Sequence, residues 1–217
     1  MTALPEICQL YRPVGLREMV LILEADSRAF PPRLPEQPFF YPVLTPEYAH
    51  QIARDWNTRD ARSGFAGFVT EFVVDATYAA SFEKHTVGAS VHSELWIPAD
   101  DLDQFNQHIQ GHIEINAAYY GAGYKGLKHR LQDIYADEMF VMLYKTAQSS
   151  GQDFFGELTL NRNAILLNFN YWLERDFSHD MTDEQKTQFL KLLAHVNYKC
   201  EATRVAMNSG VMRLRLI

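Results

Sequence analysis

The sequence predicts an α+β fold in two parts, with strands and short helices over residues 1–122 and a mostly helical module over residues 123–217. Three observations predict it. Short apolar runs separated by Pro- and Gly-bearing stretches fill the front. Longer stretches with apolar residues at helical spacing fill the rear. Between them lies a glycine-rich segment, GAGYKG at residues 121–126. The chain has 217 residues, 47% hydrophobic and 22% charged, which is enough apolar material to pack and argues against disorder.

The elements follow in order. Residues 7–12 read as a first strand, stopped by Pro13, which removes a ladder donor. Leu16, Met19, Val20 and Leu23 fall at helical spacing and predict a helix over 16–26. Residues 30–38, FPPRLPEQP, hold four prolines in nine positions and read as an extended loop. Residues 39–44 are apolar and aromatic, a second strand. Thr45, Pro46 and Glu47 mark a helix start, and Tyr48, Ile52 and Trp56 line one face of a helix reaching residue 57. A polar loop over 58–67 leads to a central strand over 67–74 and a short helix over 75–83. A strand over 92–97 runs into a helix that begins at Pro98 and ends at Gly111, and residues 112–119 form the last strand of the front. The rear reads as helices over 127–148, 158–175 and 182–208, the last opened by the capping-box pair Thr182 and Gln185. Residues 211–217 alternate weakly as a terminal strand.

Bulk properties narrow the functions. The formal charge of −7 is uneven, with 8 Lys+Arg against 16 Asp+Glu in residues 1–122 and 12 against 11 in the remainder. An acidic front makes duplex nucleic acid a poor partner and suits capture of a basic protein. No run of apolar residues is long enough to span a membrane. Residues 1–10 carry no basic residue and no long apolar core, so they do not read as a secretory signal. Two cysteines, Cys8 and Cys200, lie at opposite ends, which suggests reduced thiols and a cytoplasmic setting.

Several motifs invite chemistry and have a plainer reading beside it. The segment at 121–126 spells G-x-G-x-x-G, which in a dinucleotide fold brings backbone amides up to a pyrophosphate. Several elements precede it here, and a linker is the favoured reading. His108 and His112 are spaced for zinc on one helix face, but Gly111 between them splits the pair, and no H-E-x-x-H or cysteine pair accompanies them, so no metal site is expected. No G-x-S-x-G elbow positions a serine nucleophile. Tyr119, Tyr120 and Tyr124, and Phe169, Tyr171 and Trp172, read mainly as core, with a small-molecule site at the aromatic boundary as the lesser alternative. Asn161, Asn163, Asn168 and Asn170 form an amide-rich helix face, with solvation as the default.

A resemblance adds to this reading. The strings LYRPVGLRE (10–18), FPPRLPEQP (30–38), FYPVL (40–44), ARDWN (53–57), FVTEF (68–72) and SELWIPA (93–99) resemble, in order, a family of small bacterial proteins labelled "ADP-ribosylation/crystallin J1". The likeness covers about residues 8–120. The order of elements also resembles the ADP-ribosyltransferase fold, a split β-sheet with short helices. That likeness implies NAD as substrate, with Arg12 on the first strand gripping ribose or phosphate, Tyr41 or Phe40 packing against nicotinamide, and Glu94 on a later strand holding the ribose. His92, two residues before Glu94, would border the same site; arginine-directed transferases carry Glu or Gln there, and no Ser-Thr-Ser motif is present. Arg12 and Glu94 would then be catalytic. In the alternative, Glu94 anchors a loop and pairs with Arg12 inside the sheet. On the whole chain the alternative is a non-catalytic module of immunity, antitoxin or adaptor type that binds a protein partner, and a homodimer is compatible with either.

Overall fold

A computed structural model describes residues 6–86, 92–149 and 151–199, with side chains of residues 196–199 outside the description. The sequence-predicted strand over 211–217 and the end of the last predicted helix lie outside these residues. The α+β class is as the sequence predicts. The chain divides between Gly123 and Tyr124 into two compact units.

The first unit is built on two small antiparallel sheets. Strands β1 (Ile7–Val14), β3 (Ala66–Asp75) and β6 (Ile109–Tyr120) form one, with β3 in the middle. Strands β2 (Phe39–Phe40), β5 (Ser93–Pro98) and β4 (Glu83–Thr86) form the other, with β5 in the middle. One residue joins them: Val43 bridges Tyr11 on one side and Glu94 on the other. Pro13 does not stop β1. The Tyr11 N–H points to the Val43 carbonyl at 2.9 Å, and Pro13, two residues on, faces the same way, so its missing donor costs the β1–β3 ladder nothing.

Strand β3 is buried on both faces over Ala66–Thr70, and its charged Glu71 falls where burial gives way to alternation. Phe72 meets Phe30 at 4.8 Å between ring centroids, and Phe30 meets Phe40 at 4.8 Å. On the opposite face Val69 packs with Val43, Tyr48, Ala49 and Ala53. Helix α1 (Leu16–Glu24) buries Met19, Ile22 and Leu23. The helix predicted over 45–57 is α2 (Pro46–Gln51) followed by a π-helical turn (Ile52–Trp56) and a 3-10 turn (Asn57–Arg59). Gly67 accounts for the close packing there: a Cβ on it would stand 2.1 Å from the Ala53 carbonyl oxygen.

Three further expectations are corrected. The predicted helix over 75–83 shortens to α3 (Ala76–Ala79), capped when the Tyr78 N–H donates to Asp75 at 2.8 Å. Residues 83–86 then form β4, whose polar side chains suit an exposed edge and hide it from a search for apolar alternation. The helix expected to end at Gly111 is α4 (Leu102–Gln107), and β6 already begins at Ile109. Gly111 sits inside β6 at φ 82°, where the register against β3 shifts.

The second unit holds α5 (Ala136–Ser149), α6 (Gly151–Leu160), α7 (Arg162–Glu174) and α8 (Asp183–Lys199). Phe140 lies at the centre of its aromatic packing, 4.4 Å from Phe177, 5.1 Å from Trp172 and 5.2 Å from Phe189 between centroids. The predicted capping box forms: the Thr182 N–H donates to Gln185 Oε1 at 2.8 Å, and the Gln185 N–H to Thr182 Oγ1 at 3.2 Å. Two helix predictions change for one reason. Residues 127–135, the start of the helix predicted over 127–148, are irregular because buried amides of α7 and its start hold the backbone here. Asn168 Oδ1 accepts from the Tyr124 hydroxyl at 2.7 Å and the Leu127 N–H at 3.0 Å, and its Nδ2 donates to the Leu127 carbonyl at 3.2 Å. Asn161, which separates α6 from α7, accepts from the Arg130 N–H at 3.0 Å. Asn161 and Asn168 of the amide-rich face are therefore internal.

Candidate functional site

The residues singled out in the first unit fall into three groups. Arg12 is 8% exposed. Its Nε donates to Glu18 Oε1 at 2.8 Å, Nη2 to Glu18 Oε2 at 3.3 Å, and Nη1 to the Tyr41 carbonyl at 3.1 Å. Its guanidinium carbon lies 4.6 Å from the centroid of Phe40. This corrects the pairing of Arg12 with Glu94: the carboxylate that meets Arg12 is Glu18, placed by the first turn of α1. Phe40 is 0% exposed and belongs to the core, so it offers no ring face to a ligand.

Glu94 belongs to a second group, set by the alternation of β5. Ser93, Leu95 and Ile97 are buried, while Glu94 and Trp96 share the opposite, half-exposed face. Trp96 Nε1 donates to Glu94 Oε1 at 2.8 Å and fixes the carboxylate. His85, directly across from Glu94 on β4, stacks on Trp96 at 4.0 Å between centroids and 27° between planes. Tyr41 meets the same indole edge to face at 5.5 Å, and Phe39 approaches it at 5.3 Å. The result is a half-exposed aromatic surface with one oriented carboxylate on it.

His92 forms the third group. It stacks on Tyr48 at 4.4 Å and 25°, and its Nε2 lies 3.1 Å from Gln51 Oε1. Burial raises the Tyr48 phenol above its ordinary pKa, and the negative charge of Glu94 raises it further. Glu94 thus has Trp96 as its hydrogen-bond partner and the Tyr48 phenol within electrostatic reach.

Of the expected site residues, Glu94 and Tyr41 stand at the Trp96 face, Arg12 reaches it only through the Tyr41 backbone, and Phe40 does not reach it. Sequence reasoning missed Trp96 and His85. The signal for Trp96 was present, since Glu94-x-Trp96 on a strand must share a face.

The other motifs resolve into packing. A Cβ on Gly121 would lie 1.8 Å from the Thr58 carbonyl oxygen, and one on Gly123 2.7 Å from the Phe65 ring. Gly126 has φ 87°. These glycines serve close approach and turning, and no helix opens directly after them. His108 follows α4 and stacks on Tyr78 at 3.6 Å and 12°, while His112 lies on β6. Among the described residues no group of three or more His, Cys, Asp or Glu side chains could hold a metal ion. Burial raises the Cys8 thiol pKa, which suits an inert side chain. No helix among the described residues is long and apolar enough to cross a membrane.

In the second unit a cleft of about 600 Å³ carries Asp137, Glu138, Asp176 and Asp180 against one lysine, Lys145, with Phe177 among its apolar lining. Asp137 is held by Arg175 at 2.7 Å.

Comparisons with protein-family models, curated proteins and solved structures find no match to this chain.

Proposed function

We propose that the first unit binds NAD at the Trp96 face and cleaves its nicotinamide–ribose bond, passing the ADP-ribosyl group to water or to a target nucleophile. The observation that carries this reading is the carboxylate of Glu94, hydrogen-bonded to the Trp96 indole and set between aromatic side chains. Tyr41 and Trp96 offer ring surface to nicotinamide or to an apolar sugar face. In the reaction the C–N bonding pair leaves with nicotinamide, which departs neutral. Positive charge builds on the ribose C1 and ring oxygen. A carboxylate held in place by a protein donor stabilises that charge without first having to reorient. Water or the target then attacks C1 and loses its proton.

Arg12 has a supporting role in this proposal. Its donors engage Glu18 and the Tyr41 carbonyl, so it braces the strand segment that carries Tyr41. The test is nicotinamide release by purified protein and by Glu94→Gln, which keeps the side-chain volume and removes the charge. The expected loss is about 100-fold or more, the scale of a missing transition-state electrostatic contact. Release from Glu94→Gln at the wild-type rate would sink the assignment.

The acidic cleft of the second unit favours a second reading, a non-catalytic module that captures a basic protein partner. Copurification of a basic protein that Asp176→Asn and Asp180→Asn together release, with NAD failing to bind, would select it.

A further inference from the structure

The Pro-rich loop over residues 30–38 is pinned at both ends. Asn106 exchanges hydrogen bonds with the Phe30 N–H and carbonyl, each at 2.9 Å, and the Ala99 N–H donates to the Pro38 carbonyl at 2.9 Å. The braced loop delivers Arg33 to a place where its charge is not balanced. The Arg33 side chain is 9% exposed. Its Nη1 lies 3.6 Å from Glu18 Oε1, beyond hydrogen-bond length, and the same carboxylate already receives both bonds from Arg12. Arg33 Nε is buried and meets no hydrogen-bond acceptor among the described residues. Two guanidinium groups therefore share one carboxylate, which leaves one positive charge in excess beside Tyr41. Burial, and then the neighbouring Arg12, lower the Arg33 pKa, which is the electrostatic counterpart of the same crowding.

A buried guanidinium with an unpartnered N–H is costly to keep and is the usual donor set for a planar or tetrahedral oxyanion. We propose that Arg33, seated next to the Arg12–Glu18 pair, is an oxyanion site that takes the phosphate of a phosphorylated ligand. The site deepens the reading above by assigning the residue that holds the ligand's phosphate, and rests on that reading only in placing the ligand near Tyr41. A nucleotide or other phosphate ester is then favoured over an uncharged sugar or a peptide.

The test uses inorganic pyrophosphate as probe, with thermal melting and calorimetry on the full chain, against sodium chloride at matched ionic strength. Pyrophosphate is expected to raise the melting temperature of wild type where chloride does not. Arg33→Gln is expected to fold, because it removes an under-compensated charge, and to bind pyrophosphate at least about tenfold more weakly, the value of one charge-assisted bond. Arg33→Lys keeps the charge without the Nε–H fork and is expected to recover only part of the affinity. Equal stabilisation by chloride, or undiminished pyrophosphate binding in both variants, would overturn the site. Pyrophosphate binding that depends on Arg33 with no nicotinamide release from NAD would retain this site and remove the NAD reading. Nicotinamide release that survives Arg33→Gln with unchanged NAD affinity would do the reverse.

Discussion

Arg12 and Glu94 are both charged residues on strands, yet the fold gives them opposite tasks. Arg12 lies buried, with hydrogen bonds to Glu18 and to the Tyr41 carbonyl, so its guanidinium holds protein to protein. Glu94 is half-exposed and steadied by the Trp96 indole N–H. The strand position of each was legible from sequence; the partner was not, because Glu18 comes from a helix whose rotation against β1 is a tertiary fact. Arg33 was hidden for a similar reason, since a proline loop gives no periodicity from which to judge burial. At the same scale, His112 supplies a pH prediction. Burial and then Arg28 lower its pKa below the ordinary histidine value, with Asp26 acting against them. The folded state therefore binds this proton less readily than the unfolded chain does. Stability from this group is complete above the ordinary value of about 6.5 and is lost as pH falls from there towards the folded value. Urea denaturation between about pH 7 and pH 5 is expected to show falling stability, and His112→Gln to flatten that fall. An identical slope in the variant would remove His112 from the account.

Among the elements, those with strong local signals came through. The Thr182–Gln185 capping box forms because both partners lie within one turn. The alternation of β5 is visible because one of its faces is buried. The failures have a shared cause, which is that long-range partners overrode local preference. Residues 127–135 could have begun a helix, but Asn168 and Asn161 capture their backbone groups from across the unit. Similarly, β4 has a polar sequence and owes its strand form to pairing with β5. The amide latch can be measured. Asn168→Ala removes the shorter bond of the Tyr124 hydroxyl, which also reaches the Leu167 carbonyl at 3.5 Å, and takes the amide from both backbone groups of Leu127; each backbone group so orphaned costs about 1–3 kcal/mol. A net loss of about 3 kcal/mol is expected in urea denaturation followed by tryptophan fluorescence in a Trp56→Phe, Trp96→Phe background, which leaves Trp172, buried in the same unit, as the reporter. A loss below about 0.5 kcal/mol would mean that water replaces the amide without penalty.

For the molecule as a whole, the spacing of apolar residues predicted the class of fold. The acidic balance of the front, with 16 Asp+Glu against 8 Lys+Arg, said little about where charge would matter. The excess positive charge sits in that acidic unit, at Arg12 and Arg33 over one Glu18. The acidic cleft sits in the other, whose sequence is close to neutral. Net charge averages over the separations, a few ångströms, on which binding depends. The Trp96 surface joins β2, β4 and β5, three short strands that no single stretch of sequence advertises as one feature.

The most direct test is calorimetric titration of NAD into the purified chain and into Trp96→Ala, with circular dichroism to confirm that the variant folds. The proposal predicts saturable binding to wild type and at least about tenfold weaker binding to the variant, the contribution of one aromatic face. No heat of binding at millimolar NAD, or equal affinity in a folded Trp96→Ala protein, would contradict it.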